Sequence, residues 1–273
     1  MAEMNVARRM WQLFEPVHAV SFSAPASLAV WADAELRSPW RAYFAGRTAP
    51  LGAVEAGPVV AAFFGYSPVM VARALPEVWT RIPPEKALAV RLDGARAALA
   101  PLVAATDADE LTELATLLRS AAERVSVAGR VLGAANAALP WPDDPLGTVW
   151  QAATILREHR GDGHVAALVT AGVDGLESLV WRTSRGGPDR AFYQRIRGWT
   201  EDEWTAAADR LRARGWLDAE DAPTAASLAA ADELEATTDR LASPVWDVLG
   251  PAAVDRAAAL LAPITQAVTT PGP

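Results

Sequence analysis

The sequence predicts an all-α, mainly helical protein. Apolar residues recur at helical spacing through most of the 273 positions, and alternating strand patterns are almost absent. Prolines and glycines punctuate the chain at intervals that suit short helices. A more specific signal lies near the C-terminal end. Trp199-Thr200-Glu201-Asp202-Glu203-Trp204 opens a helix, and Leu211-Arg212-Ala213-Arg214-Gly215-Trp216-Leu217 closes it. An acidic turn, Asp218-Ala219-Glu220-Asp221, follows, and Pro223-Thr224 opens another helix. That order is the layout of a winged helix-turn-helix with at most a small β-wing.

Val6, Met10, Leu13 and Val17 mark one face of a first helix. Pro25, Pro39, Pro50, Pro58, Pro68 and Pro83 divide the next stretch into short helices, with aromatic pieces at 40–44 and 63–66 between them. Longer helices are expected over 84–104 and 109–138, the second with Leu111, Leu114, Leu118 and Val125 on a stripe. Pro140-Trp141-Pro142-Asp143-Asp144-Pro145 is the clearest break. It separates an expected helical domain, 1–139, from a winged-helix-like domain, 140–273. Beyond it, a helix over 147–159 is expected to break at Gly161-Asp162-Gly163 and resume over 164–171. Further helices are read over 175–185 and 251–268. In the winged segment, Thr200 and Glu203 form a capping box, Trp204, Ala208 and Leu211 face inward, and Gly215 suits a left-handed C-cap.

Composition narrows the function. Half the residues are hydrophobic (51%) and 21% are charged, a folded and not a disordered balance. The absence of cysteine excludes disulfides, thiolate catalysis and cysteine-zinc sites. No long uncharged apolar run suggests a membrane span, and the N-terminus reads as an amphipathic helix without a signal peptide, so the cytoplasm is the expected location. The net charge of −8 is unevenly placed. Residues 1–198 carry 20 acidic and 20 basic side chains, whereas 199–273 carry 13 acidic and 5 basic. A DNA reader needs a basic face, because neutralising phosphate supplies much of the affinity.

The segment from Leu211 onward resembles the C-terminal half of MarR-like regulators. In those, a recognition helix ends in Leu-x-x-x-Gly-Leu, and Leu-Thr-x-x-Gly follows the wing. Here Leu211 to Leu217 and Pro223-Thr224-Ala225-Ala226-Ser227 stand in those places. The resemblance implies a dimerising, DNA-binding regulator. This chain departs from it with Glu220 and Asp221 at the wing tip and Glu201-Asp202-Glu203 at the helix start. Arg182, Arg185, Arg190, Arg195 and Arg197 form a basic patch just upstream and are the DNA-binding candidates. The whole chain also resembles an uncharacterised actinobacterial helix-turn-helix-like family, through Glu15-Pro16-Val17-His18, Ala49-Pro50-Leu51-Gly52 and the run from Arg157 to His164. That second resemblance implies no particular activity.

Three histidines define the candidate chemistry: His18 with Glu15, and His159 and His164 with Arg160 and Asp162 among them. On one unbroken helix His159 and His164 would point about 140° apart, so a metal or acid–base site needs the Gly161–Gly163 break to bring them together. The competing reading gives His159 to a helix end and leaves Arg160 and Asp162 to hold the turn. No phosphate loop or nucleophile elbow is present, and no cofactor is evident. Eleven tryptophans are spread over every segment; most belong to the core. Some, with Phe63 and Tyr66, are suited to an apolar ligand pocket, and Arg41 and Arg47 to anchoring an anionic group there. The sequence therefore favours a winged-helix-like protein that does not read DNA and instead binds a small ligand or a protein partner. The alternatives are a MarR-like homodimeric regulator and a metal- or cofactor-dependent enzyme using His18, His159 and His164.

Overall fold

A computed structural model of the chain describes residues 5–270, and nearly every element in it is a helix. In order these are α1 (Val6–Ser23), α2 (Pro25–Asp33), α3 (Pro39–Thr48), α4 (Ala56–Phe63), α5 (Pro68–Ala72), α6 (Pro84–Leu99) and α7 (Ala108–Ala122). They continue with α8 (Val131–Ala137), α9 (Pro145–Thr170), α10 (Gly175–Ser184), α11 (Arg190–Arg197), α12 (Glu201–Ala213), α13 (Ala225–Ala242), α14 (Pro244–Leu249) and α15 (Pro251–Thr269). The strand-like pairing among the described residues is one antiparallel bridge, Leu217 with Pro223. No helix of these residues is long and apolar enough to cross a membrane.

The chain packs as two compact units, and neither is continuous in sequence. The first takes the residues up to Ala53, Glu77–Asp162 and those from Asp239 onward; the second takes Val54–Pro76 and Gly163–Thr238. The proline-rich run at 140–145 lies inside the first unit, where it joins α8 to α9.

In the first unit, α1 lies against α6 and α15, and α2 against α6. The i, i+4, i+7 face of α1 puts Met10, Phe14 and Val17 into the core with Leu99, Leu114, Leu118, Trp150, Trp246 and Leu261. In the second unit, Trp181 and Trp216 meet with ring centroids 4.2 Å apart, beside Tyr193, Trp204, Leu211 and Leu234. The Trp181 indole N–H donates to Ser227 Oγ at 2.7 Å, which satisfies its polar edge inside that core.

Two expectations about helices are corrected. The helix expected over 109–138 is split into α7 and α8, and the turns between them contain Val125, Ser126 and Val127, weaker helix formers than the Ala, Leu and Glu that make up most of α7. The break expected at Gly161-Asp162-Gly163 does not occur, and α9 runs unbroken from Pro145 to Thr170. Two mid-helix glycines cost about 1 kcal/mol each, and packing outweighs that here. A Cβ on Gly133 of α8 would come within 3.0 Å of His159 Cα, so the two helices approach at backbone distance. Asp162 Oδ2 accepts the Gly133 N–H at 2.8 Å, so the carboxylate serves the first turn of α8 and not a turn of its own.

Leu118 is fully buried between α7 and the rest of the first core. Leu118→Ala should lower unfolding free energy by about 2–5 kcal/mol, read from the midpoint of a urea titration. A change within a few tenths of that scale would mean the core is not closed there.

Candidate functional site

Four helices of the first unit place their polar residues around one small recess, whose free volume is about 20 Å3. From α1, His18, Ser21 and Phe22 point in at i, i+3, i+4 spacing; from α9, Trp150, Thr154 and Glu158 do so at i, i+4, i+8. Tyr43 and Arg47 come from α3 and Arg91 from α6. The aromatic wall is continuous: His18 meets Phe22 edge-on at 5.4 Å, and Phe22 meets Tyr43 at 5.2 Å.

Glu158 is the pivot of the charges. Its carboxylate is 1% exposed and accepts from Arg47 Nε at 2.8 Å, Arg47 Nη2 at 2.9 Å and Arg157 Nη1 at 2.9 Å. Burial alone would push its pKa up. Arg47 and Arg157 outweigh that and hold it far below the ordinary carboxylate range. Arg157 also reaches Glu15 at 3.3 Å, and Glu15 takes the Trp11 indole N–H. Arg47 donates to the Tyr43 hydroxyl at 3.0 Å.

Arg91 differs from these. Its guanidinium is buried and bonds neutral acceptors, the Gly46 carbonyl at 3.1 Å and Asn136 Oδ1 at 3.0 Å. Burial draws it down to about 10, partly offset by the field of Glu158. Two guanidinium groups and one carboxylate therefore line the recess, leaving one positive charge over.

The His18 ring has a defined tautomer. Thr154 Oγ1 donates its proton to the Trp150 carbonyl at 2.9 Å, so at 3.1 Å it accepts from His18 Nδ1–H. The lone pair is then on Nε2, a buried atom with no hydrogen-bond partner. Burial, followed by repulsion from Arg157, brings His18 down to about 4, so the ring is neutral at pH 7. The recess thus offers an acceptor and an excess of positive charge.

The structure brings Glu15, His18 and Arg47 together and sends the other candidates elsewhere. His159 lines a separate small cavity of the first unit with Phe14 and Trp246, and burial followed by Arg130 lowers it to about 4. Arg160 pairs with Asp239 at 3.2 Å and lies 4.3 Å over the Trp11 ring. Arg41 pairs with exposed Glu77 at 3.3 Å. His164 belongs to the second unit, where its Nδ1 is 3.0 Å from Thr238 Oγ1. Because α9 is unbroken, His159 and His164 project about 140° apart. Among the described residues no group of three or more His, Asp or Glu side chains is placed to hold a metal ion. Phe63 and Tyr66 are in the second unit, their rings 5.9 Å apart. Sequence reading passed over Arg91, Arg157 and Thr154; the readable signal was the i, i+4 spacing of Thr154 and Glu158 on α9.

In the second unit, α11 and α12 are joined by the three-residue turn Gly198-Trp199-Thr200. Gly198 takes φ +78°, where a side chain would be strained, and a Cβ there would also meet Met70 and Ser67 within 2.8 Å. The Thr200 and Glu203 capping box is formed. The upstream arginines are largely turned onto the protein. Arg185 lies 4.5 Å over Trp181, Arg195 5.5 Å over Phe192 and Arg197 4.0 Å over Tyr66. Arg190 pairs with Glu201, while Arg182 is exposed. The second unit carries 14 acidic and 9 basic side chains, a net charge of −5.

A family model described as a helix-turn-helix family matches residues 7–272. The chain belongs to that family, whose fold type is the one used by many DNA-binding proteins. No curated protein and no solved structure gives a match.

Two measurements test this site. Glu158→Gln strands Arg47 and Arg157 and should cost about 3–5 kcal/mol in chemical denaturation, and a loss below about 1 kcal/mol would contradict the pivot role. Between pH 6.5 and 4 the unfolded chain binds protons at His18 and His159 that the folded chain resists. Asp162, raised by burial to about 6, opposes this over part of the same window. Two groups outweigh one, so Tm should fall as pH drops from 6.5 to 4, less steeply in His18→Gln. A Tm that is flat or rises toward pH 4 would contradict the buried neutral histidines.

Proposed function

We propose that this protein binds a small organic acid in the recess of its first unit, and that its helix-turn-helix is a winged helix kept for architecture or partner contact. The single observation that carries the ligand reading is the mismatch inside the recess. Arg91 is buried against neutral groups, and His18 Nε2 is a buried lone pair without a donor. A carboxylate answers the first and a hydroxyl or amide N–H the second, so a hydroxy- or acylamino-carboxylate of few heavy atoms meets both once the side chains closing the recess move apart to admit it. The aromatic wall of Phe22, Trp31, Tyr43 and Trp150 suits the apolar part of such a ligand.

The winged-helix reading is supported by the order α10, α11, α12, the bridge Leu217–Pro223 across an acidic turn, and α13. Against DNA reading stand the acids of α12 and the turn. Residues 199–224 carry seven acidic and three basic side chains, and Arg212 pairs with Asp221 at 2.6 Å. Such a face repels phosphate.

Glycolate, lactate and N-acetylglycine, with glycolamide as the uncharged control, should separate in a thermal-shift titration. The acids are expected to stabilise by about 2.7 kcal/mol at a hundredfold excess over Kd. Arg91→Met should abolish the effect, and glycolamide should give none. Equal shifts with glycolamide, or no shift with any acid, would remove the ligand reading. A labelled mixed-sequence duplex at about 50 mM salt should show no retention. Retention that Arg195→Ala and Arg197→Ala weaken would instead make the protein a regulator.

A further inference from the structure

The second unit holds a pocket of its own, distinct in chemistry from the recess of the first. It has a volume of about 370 Å3 and is walled by Phe64, Tyr66, Trp199 and Leu176, with Glu203 and Arg210 of α12 at its side. That size is in the range of small-molecule sites.

Its walls are held by three local constraints. Phe64, at the end of α4, has φ +57° and ψ −58°, a strained backbone for an aromatic residue. Its carbonyl packs on the start of α10 so closely that a Cβ on Gly175 would lie 1.9 Å from the oxygen. The next residue, Gly65, accepts the Trp199 indole N–H at 3.0 Å. These contacts fix the Phe64 and Trp199 rings, both half-buried, beside the opening. Neither ring stacks on another ring or on a guanidinium among the described residues, and both line the pocket while packing partly on the core.

The polar groups set the sign of the ligand. Arg210 is already spent, bonding Asp174 Oδ2 and Glu177 Oε1, each at 2.6 Å. Asp174 Oδ1 accepts the Glu177 N–H at 2.7 Å. Glu203 uses only one oxygen, Oε2, which accepts from the Thr200 N–H and hydroxyl at 2.8 Å each. Among the described residues its Oε1 takes no hydrogen bond, and this exposed carboxylate lines the pocket with Trp199. A free carboxylate oxygen beside two aromatic rings favours a cation: the oxygen accepts an N–H and the ring faces attract the charge. An anion would meet Glu203 and Asp174, and a neutral apolar guest would strip water from Glu203 without replacing it. We infer that this pocket binds a lipophilic ammonium, with Glu203 taking the charged nitrogen and Phe64, Tyr66 and Trp199 enclosing the apolar body. This site is independent of the acid-binding recess, so either can fail alone.

Glu203→Gln is the decisive variant. Glutamine also serves in a capping box, so the helix start is kept while the charge is removed. The probes are 4-phenylbutylamine, 4-phenylbutyrate and 4-phenylbutanol, titrated into the full chain by calorimetry. The amine should bind one to one and at least tenfold more tightly than the acid or the alcohol. Glu203→Gln should weaken the amine about tenfold with unchanged Tm and leave the alcohol alone, and Ala206→Trp, which fills the pocket, should abolish binding. Equal binding of the three probes, preference for the acid, no saturable binding, or amine affinity unaffected by Glu203→Gln would each overturn the inference.

Discussion

A carboxylate cannot be taken out of water without charged partners, and Glu158 is almost entirely out of water. Its place on α9 therefore decides where Arg47 of α3 and Arg157 must reach, and Arg157 in turn holds Glu15 of α1. Three helices are oriented by one acid. With the guanidinium groups fixed, His18 is kept neutral and Arg91 is left to carbonyl and amide partners. The recess follows from satisfying Glu158 first and everything else afterwards.

Electrostatics in the second unit runs differently. Most of its arginines lie over Trp181, Phe192, Tyr66 and Trp216 or pair with nearby acids, while Arg73 and Arg182 are exposed. Guanidinium groups on aromatic rings strengthen packing while keeping their charge, and the acids of the unit outnumber them.

Local signals in the sequence were readable where chemistry is local. The Thr200–Glu203 capping box, the Gly215 position and the helix from Pro251 follow from spacing of a few residues. The helical character of the chain follows from its periodicity. Gly161-Asp162-Gly163 reads as a break because glycine and aspartate favour turns, yet the deciding partner, Gly133, lies 28 residues away from Gly161. Glu15, His18 and Arg47 were recognisable as residue types, but the groups that give them meaning, Arg91 and Thr154, carry no sequence mark. A guanidinium with only neutral partners is visible only once the helices are packed.

The second unit takes in Val54–Pro76, more than 80 residues before the rest of it begins. Ser67 donates its N–H to the Arg197 carbonyl and its hydroxyl to that of Gly198, and Gly65 receives Trp199, so the turn between α11 and α12 is bonded to this early segment. The α11–α12 pair is consequently not a transferable module. A ribosome that has finished α5 has made part of the second unit which cannot close until α13 is synthesised. No single cut in the chain releases that unit whole, and recombination could move it only by carrying most of the gene along.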